Sequence, residues 1–169
     1  MKASMAPATI QCTLDRALAM KTLVMGIGNL LMGDEGAGIH VLRYLEQQHP
    51  LLSVDFVDGG TGGFHLLEYF QTYERVILID ATMDGEPPGT VRVIKPEFAR
   101  DYPRTLAAHD IGLKDLLDSL YLLGKRPQIV LFTLSIAGIG SLCMELSDDV
   151  QRAVRTAAEA VTAHLESEP

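Results

Sequence analysis

Tryptophan is absent from the 169 residues, and there are only two cysteines, Cys12 and Cys143. Two thiols far apart, without CxxC spacing, exclude the disulfide framework that staples small secreted domains and point to a reducing compartment. Positive charge is also short, with 14 Lys and Arg against 22 Asp and Glu and a formal net charge of −8. Phosphate-backbone binding needs the opposite balance, so nucleic acid is not an expected partner. The first twenty residues lack a continuous apolar stretch, since Gln11, Thr13, Asp15 and Arg16 interrupt it, which argues against a signal peptide. A cytoplasmic protein is the expectation. Pro127 to Met144 carries no charge over 18 residues, but its proline, its polar residues and Gly138 and Gly140 fit a buried strand running into a loop, not a membrane span.

Hydrophobic residues at 47% and charged residues at 21% are those of a globular domain. A chain of this length is expected to bury about 70% of its unfolded surface in one core. We read residues 1–21 as an N-terminal extension and 22–169 as a single domain.

Leu23 to Ile27 is a short apolar run leaving into Gly28 and Asn29, the mark of a buried strand entering a tight loop. From Asp34 to Gln48, Ala37, Val41, Leu42 and Leu45 fall on one helical face, and Pro50 ends the pattern. Val54 to Val57 predicts a second strand, followed by Asp58-Gly59-Gly60-Thr61-Gly62-Gly63 and a helix with Phe64, Leu67 and Phe70 on its apolar face. Val76 to Ile79 is apolar on both faces, as a central parallel strand would be, and is read as ending at Asp80. Val91 to Lys95 is expected to return as an antiparallel edge strand. Leu113, Leu116, Leu117 and Leu120 stripe a helix, Ile129 to Leu134 is the last strand, and Ser147 caps a final helix carrying Val150, Val154, Ala157, Val161 and Leu165 inward. The expected fold is α/β: a single three-layer α/β/α sandwich with a twisted, mostly parallel sheet of about five strands and an antiparallel edge strand.

Ligands of such sheets bind beyond the carboxyl ends of strands, where the strand order reverses. With the order 2-1-3, Glu35 and Asp80 meet at that edge. Each also has a plain structural explanation: Glu35 suits the first turn of a helix, and Asp80 suits an Asx turn leaving a strand. His109, between Ala108 and Asp110, is a helix-start or surface histidine by the same standard. Together, Glu35, Asp80 and His109 form a set of O and N ligands with open positions for a borderline divalent metal such as nickel or zinc. His40, His49, His65 and His164 lie within or at the end of helical patterns and are read as structural or solvated. The Asp58-to-Gly63 segment reads as a tight strand-to-helix turn more than an anion cradle. The dinucleotide fingerprint fails at Leu31, which stands where its third glycine belongs.

The segments Gly26-Ile27-Gly28-Asn29-Leu30-Leu31-Met32-Gly33-Asp34-Glu35-Gly36-Ala37-Gly38, Asp58-Gly59-Gly60-Thr61, Ile79-Asp80-Ala81 and Ala108-His109-Asp110-Ile111-Gly112 together resemble, in order, the hydrogenase maturation endopeptidases. The resemblance spans roughly Thr22 to Leu165. It implies an aspartic-type endopeptidase that removes the C-terminal extension of the nickel-loaded [NiFe]-hydrogenase large-subunit precursor, completing maturation. Glu35, Asp80 and His109 are then the catalytic and metal-binding positions, and Asp58, Gly59, Gly60 and Thr61 contact substrate. Nickel is expected to come with the substrate, leaving the isolated enzyme metal-free and monomeric. The chain departs from the family's Gly-Ile/Val-x-Pro-Glu segment at Leu134-Ser135-Ile136-Ala137-Gly138, which bears on partner choice. Two other readings stay open: a nucleotide- or anion-binding regulatory module, and a metal-dependent amidase.

Overall fold

The computed structural model describes residues 20–48, 53–95, 119, 120, 122, 124, 127–140 and 142–167. Five strands form one sheet: β1 Thr22–Gly26, β2 Asp55–Asp58, β3 Arg75–Thr82, β4 Val91–Ile94 and β5 Gln128–Ser135. Their order is β2-β1-β3-β5-β4. The pairings β1–β2, β1–β3 and β3–β5 are parallel, and β4 runs antiparallel to β5 at the edge. This is the expected α/β sheet, and it reverses direction of growth between β1 and β3 as the site argument required.

Three helices are labelled here: α1 Ala37–Gln48, α2 Leu67–Thr72 and α3 Asp148–Ser167. Single 3-10 turns, Gly33–Gly36 and Phe64–Leu66, lead into α1 and α2. One sheet face packs on α1 and α3, joining Val24, Ile77, Ile79 and Phe132 to Val41, Leu42, Val154 and Val161. The other face, with Leu23, Met25, Val76 and Leu78, packs on Leu66 and Phe70 and on the helical Leu120. Burial on both faces is why β1 and β3 read as continuous apolar runs with no polar alternation.

Helix α3 is amphipathic, with Val150, Val154, Ala157, Val161 and Leu165 buried at helical spacing and Asp148 and Asp149 in its first turn. The rest of the leucine-striped segment, including Leu113, Leu116 and Leu117, lies outside the described residues, as does most of the N-terminal extension. The uncharged stretch after Pro127 forms β5 and a loop, and among the described residues no helix is long and apolar enough to cross a membrane.

Local departures from the expected pattern have physical causes. The first turn before α1 is 3-10, since the chain must bend sharply out of the loop after β1 before α-helical bonding can start. Asp58 is the last residue of β2, not the first of the loop, because its backbone still pairs with Gly26. Phe64 is 61% exposed, because the 3-10 turn ahead of α2 rotates it away from the core that Leu66 and Phe70 enter. β3 does not stop at Asp80: the ladder with β5 carries it on through Thr82.

Candidate active site

Glu35 sits in the 3-10 turn between β1 and α1 and is only 1% exposed. A carboxyl kept merely to complement a helix dipole would lie in solvent, so burial gives Glu35 more to explain than a first-turn acid. Two glycines bring its turn onto the sheet. Gly28 has φ +148°, and a Cβ there would stand 2.0 Å from the Glu35 carbonyl oxygen. At Gly38 a Cβ would stand 2.2 Å from the Ile79 carbonyl oxygen and 2.3 Å from that of Ile27, so the start of α1 rests directly on β3 and on the residue that follows β1. The glycine pattern around Glu35 thus specifies close approach of backbones.

Asp80 is 0% exposed, inside β3 and level with Thr133 of β5. Its Oδ1 accepts a hydrogen bond of 2.8 Å from the Ala81 amide. The Asx-turn explanation fails, since the chain does not leave the sheet there but continues as strand for two residues. Strand alternation sets Asp80 on the face of Val76 and Leu78. The turn of Glu35 packs against β3, and the Ile27 amide donates 2.8 Å to the Ile79 carbonyl between them. The fold therefore brings the elements bearing two buried carboxyls to one carboxyl edge. His109, the third expected ligand, lies outside the described residues. Among the described residues no group of three His, Cys, Asp or Glu side chains is arranged to hold a metal ion.

The Asp58-to-Thr61 segment lies on the same edge. The Gly59 amide donates to the Gly26 carbonyl at 2.9 Å, and the Gly28 amide to the Gly60 carbonyl at 2.8 Å. The Gly60 amide donates to Asp58 Oδ1 at 2.9 Å, and the Gly62 amide to the Gly59 carbonyl at 3.2 Å. With these donors used internally, the segment is a turn stitched to the β1 loop, poorly suited to cradle a phosphate. Arg43 of α1 reaches Asp58 Oδ2 at 3.7 Å.

One arrangement escaped the sequence reading. Asp34, beside Glu35, accepts 2.7 Å from the Ser147 amide and 2.8 Å from the Ser147 hydroxyl. Ser147 stands at the capping position of α3, its carbonyl accepting from the Gln151 amide, and its hydroxyl donates to Asp34. A cleft of about 370 Å³ opens there, lined by Met32, Gly33, Asp34, Gly138, Cys143 and Ser147 among others. Of the remaining histidines, His40 is held below its usual range by burial and then by Arg43. His164 sits edge-on to Phe132 at 5.9 Å and His65 is exposed, whereas His49 lies outside the described residues.

The hydrogenase maturation protease family HycI matches residues 39–164. The hydrogenase expression/formation protein HoxM of Cupriavidus necator is 34% identical over 143 residues, covering 81% of this chain and 68% of its own. The hydrogenase 2 maturation protease of Escherichia coli K12 is 31% identical over 153 residues, covering 86% of this chain and 91% of its own. The solved structure of the hydrogenase maturating endopeptidase HybD from Escherichia coli superposes with a TM-score of 0.79 at 29% identity, covering 88% and 93% of the two chains. Sequence match and shared fold agree, and the chain belongs to the hydrogenase maturation protease family and is a peptidase.

Proposed function

We propose that this peptidase removes the C-terminal extension of a [NiFe]-hydrogenase large-subunit precursor after nickel insertion, and that Glu35, Asp80 and His109 grip the nickel which the precursor carries. The observation that carries this reading is the burial of Glu35 and Asp80 on packed elements at one sheet edge. Buried on packed elements, the two carboxyls are held at fixed positions, where their oxygens can serve as ligands to a cation brought by the substrate. Carboxyl oxygens and an imidazole suit a borderline divalent ion and leave positions open for the precursor's own ligands.

Nickel is written here as part of the substrate. Held between the two proteins, it orients the scissile peptide beside the edge where Asp58, Gly59, Gly60 and Thr61 contact the precursor backbone. In hydrolysis, water adds to the scissile carbonyl, the C–N bond breaks and the released amine takes up a proton. A carboxyl at the site serves as general base for that water, the aspartic-type route. A protein substrate also fits the surface: Leu31, Leu142 and Met144 are exposed beside the cleft, with Leu142 at 80%. Few cysteines, one of them the exposed free thiol of Cys143, fit a reducing cytoplasm. We read the enzyme as acting as a monomer.

The test is incubation of the enzyme with nickel-loaded and nickel-free precursor, followed by mass measurement. The loaded precursor is expected to lose its C-terminal segment and the nickel-free form to stay whole, with His109→Ala inactive on both. Efficient cleavage of nickel-free precursor in the presence of a chelator overturns the nickel-dependent reading and leaves a protease that recognises its partner by shape.

A further inference from the structure

The backbone hydrogen bonds that tie Glu35 to the loop before it are long. The Glu35 amide donates to the Met32 carbonyl at 3.4 Å, and its carbonyl accepts from the Asn29 amide at 3.2 Å, both near the long end of useful geometry. The ties that leave the turn are shorter. The Gly33 amide donates 2.6 Å to the Cys143 carbonyl, the Cys143 amide donates 2.9 Å to the Leu31 carbonyl, and Met32 and Cys143 form a parallel bridge. Asp34 adds the two bonds from Ser147, at 2.7 and 2.8 Å. Ser147 in turn opens α3, whose buried stripe fixes it to the core. Asp34 also lies where the amino end of a 20-residue helix favours negative charge.

We propose that Asp34 is a positioning residue for the peptidase reaction: through Ser147 it anchors the Glu35 turn to the start of α3, so that Glu35 is held where the substrate metal must find it. The proposal rests on the reading of Glu35 as part of the site. Asp34 itself touches no reacting atom. Its effect is to keep Glu35 from sampling positions displaced from the productive one, and displacements on the ångström scale lower rates steeply.

The experiment compares the full chain with Asp34→Ala, Asp34→Asn and Ser147→Ala on nickel-loaded precursor, measuring kcat and KM separately, with amide hydrogen exchange on the free enzyme. Asp34→Ala is expected to lower kcat by about tenfold or more with KM changed by less than about twofold. Exchange at the Gly33 and Cys143 amides accelerates, while the Ile77 amide in β3 keeps its protection. Asp34→Asn restores most of kcat, because its amide oxygen still accepts from the Ser147 backbone and its amide nitrogen can donate to the hydroxyl. A kcat within about twofold of the unaltered enzyme, a loss confined to KM, or an Asn variant no better than Ala overturns the proposal. Should Asp34→Ala fail to fold, Ser147→Ala decides: it removes one bond only, and a fall in kcat of about threefold is expected, whereas an unchanged kcat overturns the proposal. Glu35→Gln is assayed beside these variants. Full activity there removes the site reading and this proposal with it, while an inactive Glu35→Gln beside a fully active Asp34→Ala removes only the positioning role.

Discussion

The parallel strands begin at one edge of the sheet and end at the other, and the two edges are built from different chemistry. At the amino edge, Tyr73 donates 2.7 Å to the Asp55 carboxylate, the Lys21 ammonium lies 4.4 Å from the Tyr73 ring centroid, and Thr22 donates 3.0 Å to the Met20 carbonyl. Lys21 and Asp55 are exposed, and the contacts are between near neighbours in space that water partly replaces. The carboxyl edge has an exposed carboxylate too, Asp58, but there Glu35 and Asp80 are buried, and the backbone packs closely enough that Gly28 and Gly38 have no room for a side chain. Screened contacts of the first kind contribute modestly and tolerate substitution. A buried carboxyl costs free energy to desolvate, and Glu35 and Asp80 place that cost at the carboxyl edge, whereas the buried charge at the amino edge is the cation Arg75.

If that contrast is right, the largest effect on stability comes from filling the carboxyl edge. Gly38→Ala would drive a Cβ to within 2.3 Å of two backbone carbonyl oxygens, on β3 and on the residue that follows β1. Neither oxygen belongs to a flexible side chain, so α1 must lift off the sheet end. The expected loss is about 3 kcal/mol, read as a lowered urea midpoint. A loss below about 0.5 kcal/mol would show that the edge is looser than its contacts imply.

The contrast also explains what was legible in the sequence. The strands follow from apolar runs, because strands covered on both faces hold few polar residues, whereas the meeting of Glu35 and Asp80 at one edge follows only from supposing the order 2-1-3, which the pairing of β1 with both β2 and β3 bears out. Asp80 nevertheless reads in the sequence as the end of its strand. Only the pairing of Ala81 and Thr82 with β5 shows otherwise, and that pairing is a tertiary fact. Helical spacing places Phe64 on the apolar face with Leu67 and Phe70, but spacing carries no information on the 3-10 turn that points it outward. The Asp34–Ser147 tie joins residues 113 apart in the chain; Ser147 has a sufficient local explanation as a helix cap, and Asp34 reads only as the start of a helical pattern. Local rules account for such residues too easily, and the long-range contact is what they conceal.

A smaller effect, with activity and stability separated, is expected at Glu35. Removing the possibility of charge while keeping the shape, Glu35→Gln spares the packing of the turn, and unfolding free energy should change by less than about 1 kcal/mol. Cleavage of the precursor should nonetheless be lost. Collapse of the fold in Glu35→Gln would place the residue among the groups that hold the edge together, and the contrast between the edges would then be one of packing alone.

The smallest effect belongs to the amino edge and appears only at high pH. Burial first, then the hydrogen bond to Asp55 and the charge of Asp55, push the Tyr73 phenol up to about 12. An unfolded chain gives up the same proton near pH 10, so between these values the folded protein binds more protons than the unfolded one and stability falls as pH rises. The contribution is fully present below about pH 10 and is lost as pH climbs through about 12. Tyr73→Phe deletes both the bond and the titration. At neutral pH it should cost about 1 kcal/mol or less, since the partner Asp55 is exposed and water replaces the lost donor. Above pH 10 the gap between Tyr73→Phe and the unaltered chain should narrow, as unfolding midpoints measured at intervals up to pH 11.5 will show. Precursor cleavage at neutral pH should be unaffected, and a loss of cleavage in Tyr73→Phe would carry the amino edge into the reaction and remove the distinction between the two ends of the sheet.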